Sequence, residues 1–271
     1  MSQVTDAVRA HYDGPGLTER LKAALPPEGE PLTVAALAPL DQFHTRGLLA
    51  TADLASAAEL KATDIVLDLG SGVGGPARYI AATYDCAVVG VDLSPSFVEA
   101  ATYLTARCGL SDRVSFQIGD ALRLPFEAAA FDTVFLQHVA MNIADRAALY
   151  AEIARVLKPQ GRFATYDLVL DGGDVIYPAP WAGDASTSFL LSAADTRAAL
   201  AAAGFKPVLW RDDTQAALAW FNAAAVSPPS TGLNLGVVLG PDFPAIAGNL
   251  GRNIREGRLG VLSAVCIREQ G

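Results

Sequence analysis

Short apolar runs alternate along the chain with longer amphipathic or alanine-rich stretches. Seven runs rich in Val, Ile and Leu predict strands, at residues 64–69, 87–91, 114–118, 131–136, 162–170, 207–210 and 260–267. The stretches between them have the length and spacing of apolar residues that are typical of helices. Strands and helices that alternate in this way favour a sheet of mostly parallel strands with helices on its faces. We therefore predict an α/β protein with a doubly wound sheet.

Residues that start and stop helices support this assignment. Ser94 and Pro95 suit the N-cap and the first position of a helix, and the apolar spacing after them predicts a helix to about Cys108. Residues 192–195 resemble a capping box, and the helix that they begin should end at Gly204.

The chain divides into a leading segment and one larger unit. Residues 1–63 are mainly helical by pattern, and we expect them to form a helical cap on the domain of residues 64–271. Two connections, at about 171–191 and 220–259, are rich in Gly, Pro and Asn and contain aromatic residues. Because they are long for passive links, we expect loops or small helices over a binding site.

Composition narrows the class of protein. The 271 residues include 29 acidic and 20 basic side chains, a net charge of −9, so nucleic acids and anionic membranes would gain little by binding. The three cysteines have no paired spacing, which argues against a zinc site or a disulfide framework. There is no signal-like start and no apolar run of roughly 20 residues. We expect a cytoplasmic protein with a small-molecule partner.

A glycine loop follows the first strand. Gly70, Gly72 and Gly75 fit the dinucleotide pattern GxGxxG, whereas Gly70, Gly72 and Gly74 fit GxGxG. Glycines let a ligand approach the backbone, and the helix that follows can offer N–H groups. The loop alone leaves both patterns open.

Carboxylates stand at the ends of three strands. Asp92 could bind the ribose hydroxyls of either a nicotinamide dinucleotide or an adenosine. Asp68, two residues before the first glycine, would repel a pyrophosphate and favour a sulfonium or amino group. Asp120 is placed to accept a hydrogen bond from an adenine amino group. Each of these residues has a structural alternative, because Asp also serves as an N-cap, a turn former or a support for a loop.

Five segments occur in order over about residues 60–170: LDLGSGVGGPARYI, VVGVDLSP, GDALRLPF, FDTVFLQHVAMNI and VLKPQGRF. Together they resemble the motifs of class I S-adenosylmethionine-dependent methyltransferases. Gln160 departs from the glycine usual in the family's KPGG turn. The flanking LDQFHTRG at 40–47 and HYDG at 11–14 are similar to a bacterial subgroup near the glycine-betaine-synthesising and the tocopherol or ubiquinone methyltransferases.

The resemblance implies a Rossmann-like sheet of seven strands with the last strand antiparallel. It implies S-adenosyl-L-methionine as cofactor, with S-adenosyl-L-homocysteine as product, bound at the carboxyl ends of the first strands. It also implies that the leading segment and the insertion after strand five lie over the methyl group. We expect nine residues to bind the cofactor: Asp68, Gly70, Ser71, Gly72, Asp92, Leu93, Asp120, Ala121 and Gln137.

On the acceptor side, we expect in-line transfer of a methyl group to a nitrogen, oxygen, sulfur or carbon atom of a small molecule, with a general base where the nucleophile carries a proton. His138 and His44 are the candidate catalytic bases, and either could instead be a hydrogen-bonded structural residue. We expect Tyr12, Gln42 and Trp181 to line the substrate pocket, although aromatic residues also simply pack. The sequence predicts no metal site.

Two other functions stay open at this point. GxGxxG with Asp92 would suffice for an NAD(P)-binding oxidoreductase, although Asp68, the GDALRLPF carboxylate and the lack of a Tyr-x-x-x-Lys pair argue against it. A protein can also keep the methyltransferase fold without methylating anything, because fold does not fix chemistry.

Overall fold

A computed structural model describes residues 3–226 and 232–269. Within these ranges the strands are β1 Ile65–Leu69, β2 Ala87–Asp92, β3 Val114–Ile118, β4 Phe131–Gln137, β5 Leu157–Leu170, β6 Phe205–Asp212 and β7 Leu259–Arg268. The helices are α1 Gln3–Tyr12, α2 Leu17–Ala24, α3 Val34–Asp41, α4 Leu48–Ala57, α5 Gly75–Tyr84, α6 Pro95–Arg107, α7 Arg146–Val156, α8 Ala193–Ala202, α9 Thr214–Val226, α10 Gly236–Leu239 and α11 Phe243–Arg255. Short 3₁₀ turns lie at Ala140–Asn142 and Ala185–Thr187.

The strands form one sheet in the order β3-β2-β1-β4-β5-β7-β6. The pairs from β3 to β5 are parallel, whereas β7 runs antiparallel to both β5 and β6. The order reverses at β1, which connects to β2 on one side and pairs with β4 on the other. A crevice therefore forms at the carboxyl ends of β1 and β4, where open α/β sheets bind ligands. The predicted seven-stranded sheet with an antiparallel last strand is confirmed.

One strand begins earlier than its pattern predicts. We expected the segment 158–161 to separate a helix from a strand starting at Arg162, but β5 already begins at Leu157. The register with β4 shifts at this point, and Gln160 has a φ of 64°. The turn is thus included in the strand as a bulge, which an apolar pattern does not reveal.

Alternate side chains of the central strands enter two cores. Val66 and Phe135 pack in the core that α4, α5, α9 and α11 cover, while Leu67 and Leu136 pack in the core that α7 and α8 cover. Since successive side chains of a strand point to opposite faces, continuous apolar runs are what a sheet covered on both faces requires.

The leading helices pack onto the domain through a third core. Leu21 of α2 and Leu40 of α3 are fully buried in one apolar cluster with Phe97 and Leu104 of α6. Residues of α1 lie over the carboxyl ends of the strands, beside the long connections after β5 and α9. The segment 227–231 of the second connection lies outside the described residues.

A buried ion pair fixes the same helices to the glycine loop. Arg78 of α5 donates from Nη2 to Asp41 Oδ2 at 2.9 Å and to the carbonyl of Val73 at 2.8 Å, and both charged side chains are fully buried. A Cβ on Gly75 would lie 2.2 Å from the carbonyl oxygen of Asp41. Glycine at this position therefore lets α3 approach the start of α5 closely.

No described helix has the length and apolar character that crossing a bilayer would need.

Candidate functional site

A cavity of about 410 Å³ lies at the carboxyl ends of the parallel strands. Its size falls within the roughly 300–1,000 Å³ that small-molecule sites occupy. The ends of β1, β2 and β4 and the segment after β3 form one side. Residues of α1, α10 and α11 and the connection after β5 form the other side. The strand ends, these helices and the connection together therefore enclose the space.

The glycine loop turns sharply away from β1 but offers few free N–H groups. Gly70 has a φ of 75°, and a Cβ there would lie 2.2 Å from Val139. The backbone N–H groups of Gly70 and Ser71 both donate to the carbonyl of Val91, at 2.8 and 3.1 Å. Gly74 N–H likewise donates within the loop. A pyrophosphate needs N–H groups that converge on it, so this loop fits an adenosine ligand without a pyrophosphate better than a dinucleotide.

Asp92 organises the loop and also faces the cavity. Its Oδ2 accepts the N–H of Gly72 at 2.8 Å, and its Oδ1 accepts the N–H of Ser94 at 2.9 Å. Burial raises the pKa of this carboxyl, against the effect of hydrogen bonds from the backbone of Ser94, Gly72 and Leu93. Each carboxylate oxygen accepts about two hydrogen bonds, so one position on each oxygen is left for a pair of ligand hydroxyls.

Asp120 lines the cavity at the end of β3. Its Oδ1 accepts the N–H of Leu122 at 2.9 Å, and its neighbours Gly119 and Ala121 also line the cavity. The arrangement leaves a carboxylate oxygen for an amino group beside an apolar surface.

Asp68 and Ser71 lie immediately behind the cavity lining. Asp68 is 2% exposed, and neither its Oδ2 nor the hydroxyl of Ser71 has a hydrogen-bond partner among the described residues. Burial, and then the charge of Asp92, raises the pKa of Asp68 to about 7. A buried carboxyl oxygen without a partner costs free energy unless a cation or donor approaches it. These residues therefore fit the amino group and the sulfonium of S-adenosylmethionine.

His138 directly follows β4 and lines the cavity. Its φ is 53°, its backbone N–H donates to the carbonyl of Tyr166 at 2.8 Å, and its ring stacks on the Tyr166 ring with centroids 5.5 Å apart. Its Nε2 is buried and has no partner among the described residues. Burial, and then the nearby His44, lowers the pKa of His138 well below its ordinary value, so the imidazole is neutral near pH 7.

His44 lies 6.0 Å from His138 between ring centroids but is not among the residues that line the cavity. Its Nε2 is 3.0 Å from the carbonyl of Gly47 and 3.0 Å from the hydroxyl of Thr51. A carbonyl can only accept, so Nε2 carries the proton and the free lone pair is on Nδ1. Burial lowers the pKa of His44 to about 4. Gln42, also buried, accepts the Thr51 hydroxyl at 2.8 Å.

Hydrogen bonds join α1 to the segment after β4, and that segment to the connection after β5. The Tyr12 hydroxyl of α1 donates to Asn142 Oδ1 at 2.9 Å, and Asn142 Nδ2 donates to the carbonyl of Trp181 at 2.8 Å. Burial, and then the charge of Asp92, raises the pKa of Tyr12. Asn142 was missed at the sequence level, although a single amide in the apolar HVAMNI segment after a strand could have identified it.

Asp167 was also missed. It lies in the apolar strand β5, where its Oδ2 accepts the N–H of Ala140 at 3.0 Å, and burial raises its pKa to about 6. A carboxylate in the middle of an apolar strand was the available signal. It holds the turn that positions His138 and Asn142.

Ten of the expected site residues line the cavity: Tyr12, Gly70, Gly72, Asp92, Leu93, Asp120, Ala121, Gln137, His138 and Trp181. Four others lie outside the lining: Gln42, His44, Asp68 and Ser71. Gln137 and Gln42 each keep a buried side-chain amide nitrogen without a partner among the described residues. The described part of the chain contains no group of three His, Cys, Asp or Glu residues placed to hold a metal ion.

Comparison with known proteins shows a similarity to methyltransferases. Residues 67–165 match the family model described as a methyltransferase domain. The chain is 38% identical over 117 residues to sterol 24-C-methyltransferase of Saccharomyces cerevisiae and 41% identical over 114 residues to a probable chloroplastic tocopherol O-methyltransferase of Oryza sativa subsp. japonica. The matches cover 43% and 42% of this chain but only 30% and 31% of those proteins.

Solved structures agree in fold. Geranyl diphosphate C-methyltransferase of Streptomyces coelicolor, solved with Mg²⁺, geranyl diphosphate and S-adenosyl-L-homocysteine, has a TM-score of 0.70 at 20% identity, covering 98% of each chain. The [4+2]-cyclase SpnF has a TM-score of 0.65 at 23% identity, covering 82% of this chain and 80% of that one. The fold is that of the class I methyltransferases. The matched methyltransferase domain and the shared fold confirm the resemblance to class I S-adenosylmethionine-dependent methyltransferases seen in the motifs.

Proposed function

We propose that this protein transfers a methyl group from S-adenosylmethionine to a nucleophilic atom of a small molecule. The observation that carries the proposal is that Asp92 and Asp120 line the same cavity as His138 and residues of α1. One side offers carboxylates for an adenosine, and the other offers a neutral imidazole and an apolar wall. A methyl donor and an acceptor can thus meet in one enclosed space.

The donor occupies the sheet side. Asp92 accepts the two ribose hydroxyls on its remaining lone pairs, and Asp120 accepts the adenine amino group, between the apolar side chains of Leu93 and Ala121. Asp68 approaches the methionyl ammonium group, with Ser71 and the free amide of Gln137 as further partners. The three unpartnered buried groups support this placement, because a donor would satisfy them.

S-adenosylmethionine supplies an electrophilic methyl group on a sulfonium sulfur. The protein holds the acceptor atom in line with that methyl, since positioning contributes much of the rate in such displacements. The acceptor atom bonds to the methyl carbon while the carbon–sulfur bond breaks, and the electron pair of that bond goes to sulfur. Where the acceptor atom carries a proton, His138 takes it at Nε2. His44, whose Nε2–H donates to the carbonyl of Gly47, positions the side chains around His138.

The proposal includes the organisation and setting of the protein. Residues 1–63 act as a cap on the domain of residues 64–271, which the buried contact of Asp41 with Arg78 supports. The net charge of −9 supports a small-molecule rather than a nucleic-acid acceptor. Three free cysteines support a reducing compartment such as the cytoplasm. Because the chain spans only about a third of the curated relatives named above, their substrates do not define its own.

Calorimetric titration tests the donor assignment against the dinucleotide alternative. S-adenosylmethionine and S-adenosylhomocysteine should both bind, and NAD should not compete with them. Tight binding of NAD with no binding of either adenosyl compound would contradict the proposal. Asp120→Asn provides a second test, because it should weaken S-adenosylhomocysteine binding more than binding of the inosine analogue, which lacks the adenine amino group.

A further inference from the structure

The side of the cavity opposite the acidic strand ends is apolar. It is lined by Val4 and Val8 of α1, Met141 after β4, Trp181, and Leu250 of α11. These side chains come from four separate parts of the chain and converge on the space beside His138. A molecule held there replaces water against hydrocarbon over most of its surface.

Among the described residues, a single cationic side chain lines this space, and it is paired. Arg9 is the only lysine or arginine among the described residues that line it, and it pairs with Asp6 at 3.5 Å on the exposed face of α1. Asp145, at the edge of the cavity, caps α7 by accepting the N–H of Ala148. The residues outside the described ranges include no Lys, Arg or His. The fixed charges around the acceptor space are therefore predominantly negative.

The cationic side chains that line the adjoining cavity also have hydrogen-bond partners already. This more open space shares Tyr12, Pro180 and Leu239 with the first cavity. Arg20, which lines it, donates to three backbone carbonyls at 2.8 to 3.5 Å. His11 lies 3.1 Å from the carbonyl of Pro180. A longer acceptor could extend into this space, but it would meet no unpaired arginine among the described residues that line it.

We propose that the acceptor is an uncharged, mainly hydrocarbon molecule, and that the site excludes anionic acceptors such as diphosphates and carboxylates. An anion would lose its hydration in the apolar space without gaining an unpaired cationic partner, and the carboxylates of Asp92, Asp120 and Asp145 would repel it. A neutral lipophilic molecule has no ionic hydration to lose and is not repelled by the carboxylates. This inference rests on the proposed function, because it assigns the sheet side of the cavity to the methyl donor.

Matched ligand pairs test the inference. Geraniol and farnesol are titrated against the protein with saturating S-adenosylhomocysteine, and each is compared with its own diphosphate, with and without Mg²⁺. We expect both alcohols to bind, and the diphosphates to bind at least about tenfold more weakly. A diphosphate that binds as tightly as its alcohol, or failure of both alcohols to bind, would overturn the inference.

The two proposals fail in different ways. S-adenosylhomocysteine is titrated first, and absence of its binding contradicts the proposed function rather than the acceptor class. The alcohols and diphosphates are then compared without it, so the acceptor class is still tested.

Variants of one wall residue complete the test. Val8→Lys places a cation in the acceptor space and should reverse the preference towards the diphosphates, while Val8→Asp should weaken alcohol binding about tenfold. Val208→Asp, on the exposed edge strand β6, is the matched control and should change neither. Binding of S-adenosylhomocysteine with wild-type affinity shows that each variant is folded. An unchanged preference in Val8→Lys would overturn the inference.

Discussion

Binding of the methyl donor should release a proton from Asp68 in mildly acidic solution. This carboxyl is buried, its Oδ2 has no hydrogen-bond partner within residues 3–226 and 232–269, and its pKa is raised to about 7. With that pKa, about nine-tenths of the free protein carries the proton at pH 6. A cationic donor group beside Asp68 favours the carboxylate, so binding releases close to one proton at pH 6. The same linkage predicts that donor affinity rises about fivefold from pH 6 to pH 7.

The free protein should show the opposite pH dependence in its stability. Because the pKa of Asp68 is higher in the folded state than in the unfolded chain, the folded state binds more protons between about pH 4 and pH 7. The free energy of unfolding therefore falls as pH rises through this window. Asp68→Asn cannot titrate and should lose this contribution, and denaturant unfolding at several pH values measures it.

Calorimetry in two buffers of different ionisation enthalpy measures the released proton directly. We expect close to one proton for the wild type at pH 6 and almost none for Asp68→Asn. Glu99→Gln, an exposed change on α6, is the matched control and should behave like the wild type. Asp167, whose pKa is about 6, is present in all three proteins and cancels in the comparison. Equal proton release by the wild type and Asp68→Asn would refute the reasoning.

Three further changes test other parts of the molecule. His138→Gln should lower the methylation rate about 10²- to 10⁴-fold for an acceptor that must lose a proton, while donor affinity is kept. Because burial lowers the pKa of His138, the acidic limb of the wild-type pH–rate profile should lie below pH 6.5. A limb at pH 6.5 would contradict the account. Gln160→Gly should raise the free energy of unfolding by roughly 0.5–1 kcal/mol, because the exposed Gln160 has a φ of 64°, which glycine adopts more easily. Denaturant unfolding measures this change. A destabilised variant would show that the side chain of Gln160 contributes more to stability than its backbone conformation costs. Asp41→Ala leaves Arg78 buried without its charged partner and should lower the free energy of unfolding by about 3–5 kcal/mol. An unchanged thermal midpoint of unfolding would mean that the ion pair contributes little to stability.

The sheet was predictable because its strands are buried on both faces. Runs such as 64–69 and 131–136 stand out from the polar loops around them, and local capping residues such as Ser94 mark the helices. The start of β5 was predicted five residues too late, because the backbone of Gln160 adopts a left-handed conformation that leaves no trace in the apolar pattern. The last strand's antiparallel direction came from the resemblance to a family, since apolar runs carry no information on strand direction.

The donor side of the candidate site was also predictable in outline. Parallel strands bring their carboxyl ends to one edge, so acids that end successive strands must lie near one another. The acceptor side depends on contacts between distant parts of the chain. The hydrogen bond of Tyr12 to Asn142 spans 130 positions, and that of Thr45 to Tyr166 spans 121. Spacing along the sequence does not encode such contacts, so the distinct surroundings of His44 and His138 emerged only from the structure.

Transfer of a labelled methyl group tests the central claim most directly. The protein is incubated with S-adenosylmethionine carrying a trideuterated methyl group and with a metabolite extract that includes its neutral lipophilic fraction, and products are followed by mass spectrometry. The account predicts a product in which one hydrogen is replaced by the labelled methyl, formed together with an equal amount of S-adenosylhomocysteine. Binding of the donor with no labelled product and no S-adenosylhomocysteine above the protein-free control would contradict it.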